Sequence, residues 1–485
     1  MKDVICPYCC MKFKPNEIHF RLNEPVTDGN QEVNQKENTA DKEKLDEYLF
    51  HYYINVLGWD KETAREESYR LPYVKFDPMS SDFTFDKVLF VEKEYINEVL
   101  YKKEQLLTKR LCPYCHNELI PGAGRDEMLL ISVIGDTNVG KTVYLTVLTE
   151  LLQQDPYFKG ALQFAGSAED KEMYLGNFKK LIRDMEMLPG TERVKIPPMP
   201  FYYNYNYIDE YGNEKENSII VIFYDIAGED CRSMETMKKR GLNIKYSSGI
   251  LFLVDPSRFS SIKDKVMDTD GINNRYVIDI FGALNQFLIA NTYDTKTHIP
   301  TAIVLTKSDL LQDIPYFKGS HSDLLTDERE VHKGYVDQAF VEKESVKIRD
   351  FLQYAREFSL LNNTKFFSDV AFFMVSALGK SPQLIDEKYS DFQYIGFHGG
   401  IEPYRVTDPF YWILMKNNLI SIREHNEVPD SNGEMVAFDI FHKNSREKLY
   451  VDTLIEDKIR QITEPPKVKF RVKDVIQFMH RFAPH

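Results

Sequence analysis

The sequence predicts an α/β protein with a mostly parallel sheet flanked by helices. Ahead of the sheet it predicts a split metal ribbon that carries a largely helical insertion. A glycine-bracketed loop joins an apolar run to a Leu-rich segment in LISVIGDTNVGKTVYLTVLTELL. Three later apolar runs each end in a short polar motif, which is typical of parallel strands whose carboxyl ends share one edge. Two copies of Cys-Pro-Tyr-Cys predict the ribbon.

Length and composition restrict the class of protein. The chain has 485 residues, 43% of them hydrophobic and 28% charged, and a formal net charge of -14. These values fit a soluble protein of two to four units. A net anion is a poor partner for nucleic acid or anionic lipid. No run approaches the roughly 18 apolar residues of a membrane span, and the N-terminus lacks a secretory core. We therefore expect a cytoplasmic protein that binds neither membrane nor nucleic acid.

The paired cysteines predict one structural zinc site. Four thiolates can bind Zn²⁺ tetrahedrally, and each Cys-x-x-Cys turn supplies two of them. We expect residues 1–12 and 111–124 to form one zinc ribbon, interrupted by an insertion over 13–110. A redox pair is the alternative, but the thioredoxin-like context that it needs is not evident. The expected ligands are Cys6, Cys9, Cys112 and Cys115.

Three other side chains near the paired cysteines leave the ligand set open. Cys10 and His116 adjoin the two pairs and could substitute as ligands. His19 is expected to be a surface or core histidine.

The insertion contains two segments of different composition. NEPVTDGNQEVNQKENTADKEK is polar and Asn-rich, which predicts a loop or disorder. KLDEYLFHYYINVLGW carries apolar and aromatic residues at helical spacing, and a second helix is predicted over EKEYINEVLYKKEQLLTK. No catalytic constellation is evident in this arm.

The glycine-bracketed loop matches G-x-x-x-x-G-K-[ST] in full. Successive backbone N–H groups and the following helix N-terminus favour a bound anion. Lys141 would reach the β- and γ-phosphates of a nucleotide, and the Thr142 hydroxyl would ligate Mg²⁺. The residues expected to contact the nucleotide here are Gly135, Asp136, Thr137, Asn138, Val139, Gly140, Lys141, Thr142 and Val143.

The first of the later motifs follows the apolar run IIVIFY. Asp225 could hold Mg²⁺ through water, and the Gly228 amide could meet the γ-phosphate. Asp-x-x-Gly is a common turn, so its weight here comes from its place after a strand and downstream of the loop.

Two further strands end in candidate base-binding motifs. In IPTAIVLTKSDL, the Asp309 carboxylate can accept hydrogen bonds from guanine N1–H and its exocyclic amine, while the Lys307 stem can cover the purine face. A plain strand-end turn is the alternative. In VAFFMVSALGK, a backbone amide could contact the guanine carbonyl, and this motif is the least specific. Its residues are Ser376, Ala377 and Leu378.

Over about residues 128–424 the chain resembles a P-loop GTPase of the translation-factor-related (TRAFAC) class, through GDTNVGKT, DIAG, TKSD and SAL. Three positions depart from that pattern. Thr306 replaces the usual Asn, which weakens one tie between base and P-loop and makes nucleotide choice less secure. Glu229 stands where many members carry Gln or His to orient water. Leu378 replaces a common Lys. Residues 425–485 would be a C-terminal extension.

The resemblance also implies a switch threonine that meets Mg²⁺ ahead of a β-hairpin. LPGTERVKIPPMP precedes a segment that is typical of strand, polar Gly turn and strand. Thr191 is therefore the candidate, with an ordinary turn threonine as the alternative. Arg193 nearby could screen phosphate charge or simply be solvated.

A closer resemblance is to bacterial double-GTPase proteins of conflict systems, through GKTVYL, LPGT and PYRVTDPFYWILMKNNL. Members often carry an N-terminal Cys-rich ribbon. This resemblance implies a role in antiviral defence and a regulatory or effector protein partner.

Together these patterns predict a GTP-binding switch that hydrolyses GTP to GDP and phosphate with Mg²⁺. No arginine finger is evident, so we expect a low intrinsic rate. An ATPase, a nucleotide-bound scaffold without catalysis, and a nucleic-acid reader that uses the ribbon are the alternatives. The catalytic candidates are Lys141, Thr191, Asp225, Gly228 and Glu229.

Overall fold

The computed structural model describes most of the chain, with gaps. The described residues are 4–24, 43–84, 96–166, 198–226, 228–231, 233–263, 275–289, 296–318, 321–325, 333–380, 383–386, 394–396, 400–429 and 434–443, with positions 171–172, 176, 181 and 459.

The N-terminal region consists of short elements around a small core of its own. Its strands are β1 (Val4–Ile5), β2 (Lys12–Phe13), β3 (His19–Arg21), β4 (Lys44–Leu45), β5 (Tyr69–Arg70), β6 (Tyr73–Lys75), β7 (Phe83–Thr84), β8 (Val99–Tyr101), β9 (Gln105–Leu107) and β10 (Arg110–Leu111). Its helices are α1 (Glu47–Tyr52), a π-helical turn (Tyr53–Leu57) and α2 (Lys61–Glu66).

Part of the predicted insertion is not helical. The helix predicted over residues 92–109 is wrong in its described part, where β8 and β9 form an antiparallel hairpin. The β-branched and aromatic residues of β8 favour a strand. Lys102 and Lys103 take φ values of 49° and 62°, the left-handed pair of a tight hairpin turn. The described insertion is therefore mixed α and β, and the segment 25–42, predicted to be a loop or disordered, lies outside the described residues.

A seven-stranded sheet forms the centre of the molecule, with strand order β12-β13-β14-β11-β15-β16-β18. The five strands from β14 to β18 run parallel, whereas β12 and β13 add an antiparallel edge. This confirms the predicted mostly parallel α/β class. The seven strands are β11 (Glu127–Gly135), β12 (Ala161–Phe164), β13 (Met199–Ile208), β14 (Glu214–Asp225), β15 (Gly249–Val254), β16 (Thr301–Leu305) and β18 (Val370–Met374). A further strand, β17 (Tyr335–Asp337), belongs to a separate sheet.

Helices cover both faces of the sheet. The parallel strands are buried on both sides, which explains why they occur as unbroken apolar runs. Along β11, Ile131 and Val133 face one core while Leu130 and Ile134 face the other. Burial of each such side chain contributes about 1.5–3 kcal/mol. The helices are α3 (Lys141–Gln153), α4 (Met234–Arg240), α5 (Leu242–Lys245), α6 (Arg275–Ile289), α7 (Gln338–Tyr354), α8 (Phe358–Asn363) and α9 (Asp408–Lys416).

The last described strands are β19 (Gln383–Asp386), β20 (Tyr394–Gly396), β21 (Ser421–Pro429) and β22 (Met435–His442). Among them, β21 crosses the boundary predicted at residue 424. β21 pairs with β17 on one side and with β22 on the other. The polar start of the predicted extension is thus part of a hairpin that packs beside the sheet domain. Among the described helices, none is both long and apolar enough to cross a membrane.

Candidate functional site

The loop between β11 and α3 has the backbone that its glycines predict. Asn138 and Gly140 take φ values of 60° and 88°. A left-handed conformation is strained for most residues, so Gly140 suits the position that begins the helix. Gly140 is the N-cap and supplies no side-chain cap. The first N–H groups of α3 therefore have no capping side chain, and they carry the partial positive charge of a helix N-terminus.

Lys141 is folded into this loop. Its Nζ donates to the carbonyl oxygens of Gly135 and Asp136 at 3.0 and 2.9 Å. The side chain is buried, and burial lowers the pKa of Lys141 while the charge of Asp225 opposes that shift. An ammonium held here in a low-dielectric setting attracts an anion more strongly than one in water.

Thr142 and Asp225 meet at the carboxyl edge of the sheet. Thr142 Oγ1 donates to Asp225 Oδ2 at 2.9 Å, whereas the buried Oδ1 has no hydrogen-bond partner. Burial raises the pKa of Asp225, and the Lys141 ammonium opposes that shift. A hydroxyl and a carboxylate are oxygen ligands of the kind that Mg²⁺ takes, usually beside substrate phosphates. The residues present therefore fit Mg²⁺, and the orphaned oxygen supports that fit.

Gly228 approaches the loop backbone closely. A Cβ at this position would lie 2.7 Å from Gly135 O and 2.8 Å from Thr137 N, so only glycine fits without displacing the loop. Gly228 begins a 3₁₀ turn that ends at Cys231. The backbone of Glu229 lies in this turn, and its side chain is outside what the structure describes. Thr191 and Arg193 also lie outside the described residues.

The TKSD motif reaches back to the loop. Thr306 Oγ1 lies 3.0 Å from Val139 O, so this threonine contacts the loop even though it replaces the usual Asn. Lys307 Nζ donates to Asn138 O at 3.1 Å and to Asp255 Oδ2 at 2.7 Å. Its stem therefore lies across the gap between the two motifs.

Asp309 and the SAL motif lie together at the carboxyl edge of the sheet. Ser376 Oγ donates to Asp309 Oδ1 at 2.5 Å and accepts from the Gly379 amide at 2.8 Å. Burial raises the pKa of Asp309, and the bond from Ser376 opposes that shift. Ala377 and Leu378 are partly buried against the sheet core.

Arg258 is a charged residue of this edge that sequence reasoning missed. It lies in the 3₁₀ turn after β15, and its Nη1 is 3.5 Å from Asp136 Oδ2. The pattern that could have revealed it is VDPSRF, where an arginine follows a strand-ending aspartate by one helical turn. Sequence reasoning followed that strand only to Asp255.

Comparison with known proteins identifies the sheet domain. Residues 129–366 match the family model Double-GTPase 2. Over these residues the sheet domain is similar to the Double-GTPase 2 family. The match covers the loop, the DIAG turn and the TKSD motif, and it ends before the SAL motif. The recognised class, a P-loop GTPase that resembles double-GTPase proteins, is confirmed. No curated protein matches the chain.

Solved structures similar to the chain are distant. The Ski7 GTPase-like domain of Saccharomyces cerevisiae, bound to GDP and phosphate, is 16% identical with a TM-score of 0.26 and matches over 60% of this chain and 50% of its own. A GTP-binding protein of Sulfolobus solfataricus is 11% identical with a TM-score of 0.20, covering 51% and 47%. A bacterial selenocysteine-specific elongation factor is 14% identical with a TM-score of 0.19, covering 52% and 26%. The chain thus spans half or less of these structures, and the family model carries the assignment.

The four predicted cysteine ligands converge in the N-terminal region. Cys6 Sγ lies 3.6 Å from Cys115 Sγ, and Cys9 Sγ lies 3.7 Å from Cys112 Sγ. All four sulfurs lie within 4.8 Å of one another, in the only such group among the described residues. Tetrahedral Zn–S bonds of ~2.3 Å imply sulfur separations of about 3.8 Å, so the cluster fits zinc.

The two cysteine pairs have the same backbone turn. Cys10 N donates to Cys6 O at 2.9 Å, and His116 N donates to Cys112 O at 3.0 Å. Cys10 and His116 both have positive φ, at 60° and 53°. They are thus equivalent positions of two matching turns, and their side chains lie outside the sulfur cluster.

His19 and His116 belong to a buried polar network beside the cluster. His116 Nδ1 lies 2.9 Å from Asp46, and its Nε2 lies 2.8 Å from His19 Nδ1. Asp46 also pairs with Arg21 at 2.7 Å. The insertion is therefore joined to the second cysteine turn by paired polar groups, and His19 is a core histidine, one of the two alternatives stated for it.

The cysteine turn also contacts the sheet domain. Tyr224, the residue before Asp225, donates from its OH to Pro7 O at 2.8 Å.

Replacing Tyr224 with Phe should lower the free energy of unfolding by about 1 kcal/mol, because Pro7 O loses its donor. Urea unfolding measures this. Tyr202→Phe is the matched control, since Tyr202 OH donates to Pro121 O at an exposed position. Tyr202→Phe should lose less stability than Tyr224→Phe, because its hydrogen bond is exposed to water. Equal losses of unfolding free energy in the two variants would contradict this expectation.

Proposed function

We propose that this protein is a GTP-binding switch that hydrolyses GTP to GDP and phosphate with Mg²⁺. The contact between Thr142 and Asp225, 2.9 Å long, carries the proposal. It joins the start of the phosphate-loop helix to the end of β14 and leaves a buried carboxylate oxygen without a partner. The match of residues 129–366 to the Double-GTPase 2 family model supports GTP as the substrate.

The phosphate end of the site works by charge and position. The loop amides and Lys141 would hold the β- and γ-phosphates, and Thr142 and Asp225 would hold Mg²⁺. The metal supplies charge neutralisation for the phosphate oxygens. Thr191 and the 225–230 stretch would order around the γ-phosphate and relax after hydrolysis. Glu229 would lie near that phosphate, where a carboxylate repels unless a cation screens it.

The base end favours guanine. Asp309 would accept from guanine N1–H and the exocyclic amine together, and adenine offers no such donor pair. Ser376 occupies only one carboxylate oxygen and thereby orients the other. Thr306 supports the site through its contact with the loop carbonyl of Val139.

A protein partner would complete the switch. Apart from Arg258, which is paired with acids, the site has no arginine near the phosphate loop among the described residues that could serve as a finger. The intrinsic rate is therefore expected to be low, with a regulatory or effector protein raising it. The resemblance to conflict-system GTPases supports a role in bacterial antiviral defence in the cytoplasm. The cysteine cluster, with zinc, would be structural.

Nucleotide binding and hydrolysis test this function directly. The purified protein is titrated with fluorescent GTP and ATP analogues with and without Mg²⁺, and phosphate release is followed for hours. We expect Mg²⁺-dependent preference for GTP and slow release. Tighter binding of ATP than of GTP would show that the protein is an ATPase and would overturn the proposed GTPase function. Tight binding with no phosphate release, even with candidate partners, would identify a scaffold.

Replacing Asp309 with Asn tests the base pocket. The amide oxygen can still accept from Ser376, so the fold is preserved while the guanine acceptor is lost. Two charge-assisted hydrogen bonds are worth several kcal/mol, so we expect GTP affinity to fall at least ~100-fold and XTP affinity to rise. Asp313→Asn is the control, because Asp313 is 93% exposed on the same segment. Unchanged GTP affinity in Asp309→Asn would show that Asp309 does not bind the guanine base.

A further inference from the structure

An acidic side chain stands inside the loop that is proposed to bind phosphates. Asp136 is 1% exposed. Its Oδ1 accepts from the Thr137 amide at 2.8 Å, and its Oδ2 faces Arg258 Nη1 at 3.5 Å. A buried carboxylate beside phosphates would repel them strongly unless a cation neutralised it.

Arg258 joins Asp136 to a second acid. Its Nε lies 3.4 Å from Asp255 Oδ2, and Arg258 is only 8% exposed. Asp255 Oδ1 caps the same turn by accepting from the Ser257 amide at 3.0 Å. The planar fork of arginine allows one side chain to serve both carboxylates, which a lysine does less well.

The pairing continues to the base motif and returns to the loop. Asp255 Oδ2 accepts from Lys307 Nζ at 2.7 Å, and the same Nζ donates to Asn138 O at 3.1 Å. Two acids and two bases thus form a closed ring that starts and ends in the phosphate loop. We call Asp136, Arg258, Asp255 and Lys307 the charge ring. Its formal charge is zero, so the loss of one member leaves a net charge beside the nucleotide.

We propose that Arg258 is a positioning residue of the nucleotide site. It neutralises Asp136 so that the loop accepts phosphates, and through Asp255 it fixes Lys307 over the base. The proposal rests on the proposed function, since it concerns the same nucleotide. It adds a residue outside the four sequence motifs and gives it a role toward the phosphates.

Four variants separate this role from simple stabilisation: Arg258→Met, Arg258→Lys, Asp136→Asn and the double variant Asp136→Asn with Arg258→Met. Binding of fluorescent GDP and GMP is measured well below each unfolding midpoint. We expect Arg258→Met to weaken GDP binding at least tenfold more than GMP binding, because the Asp136 charge is then no longer offset by the guanidinium and repels the extra phosphate. Arg258→Lys keeps the charge and should preserve most of the GDP preference over GMP. The double variant should restore this preference to within a few-fold of the wild type.

The outcomes are distinct. If wild-type protein fails to bind guanine nucleotides, the proposed function fails together with this inference. If the wild type binds but Arg258→Met weakens GDP and GMP equally, Arg258 is only structural and the inference is overturned. Failure of the double variant to restore the GDP preference would likewise remove Asp136 as the group that Arg258 neutralises.

Discussion

Replacing Lys141 with Ala should lower GTP affinity at least ~100-fold, which is about 2.7 kcal/mol. The side chain brings a buried ammonium into the loop, where its Nζ contacts the carbonyl oxygens of Gly135 and Asp136. Hydrogen bonds to charged groups contribute about 1.5–3 kcal/mol each. Without the ammonium, only the loop amides and Mg²⁺ would offset the phosphate charge.

Titration with a fluorescent GTP analogue in Mg²⁺ measures this loss. Lys343→Ala is the control, because Lys343 is an exposed lysine on α7. It should bind GTP like the wild type. Undiminished affinity in Lys141→Ala would end the assignment of this loop to phosphate. Circular dichroism at the assay temperature separates lost binding from lost folding.

Replacing Cys112 with Ser should abolish stoichiometric zinc and destabilise the N-terminal region. The thiol is fully buried in the cluster, 3.7 Å from Cys9 Sγ. A cross-link that closes about 100 residues is worth ~4.7 kcal/mol in the chain-entropy model, and four metal–sulfur bonds form such a cross-link. We therefore expect a loss of several kcal/mol.

Metal analysis and thermal unfolding of the same sample measure both effects. Cys231→Ser is the matched control, because Cys231 is a buried cysteine of the sheet domain outside the cluster. It should keep its zinc. Cys10→Ser should also keep it, since Cys10 lies outside the four-sulfur group. Zinc retained in Cys112→Ser, or lost in Cys10→Ser, would contradict the ligand set.

The elements that sequence patterns predicted well are those with strong local signals. The buried strand β11, the loop with Gly140 and the amphipathic start of α3 follow from periodicity and glycine placement alone. The β13–β14 hairpin, predicted from two strand-like runs around a polar Gly turn, is confirmed as well. The β8–β9 hairpin was missed because its charged, Leu-containing sequence also fits a helix. Only the tight turn at Lys102 and Lys103 decides for a strand pair.

The contacts that could not be predicted join residues far apart in the chain. Arg258 lies 122 positions from Asp136, and Tyr224 lies 217 positions from Pro7. Neither Arg258 nor Tyr224 belongs to one of the recognised motifs, and the VDPSRF pattern places Arg258 after a strand without indicating that it meets Asp136. The strand order brings Arg258 to Asp136, because β15 lies beside β11 and ends at the same edge of the sheet.

The insertion begins and ends at the sulfur cluster, so its two ends are held a few ångströms apart whatever lies between them. The entropy of closing a loop grows only with the logarithm of its length, about 0.6 kcal/mol per doubling. A segment of twice or half this length would therefore change the free energy of closure by only about 0.6 kcal/mol. If the cluster binds zinc as proposed, a single proteolytic cut within the insertion would leave both fragments joined through the four thiolates.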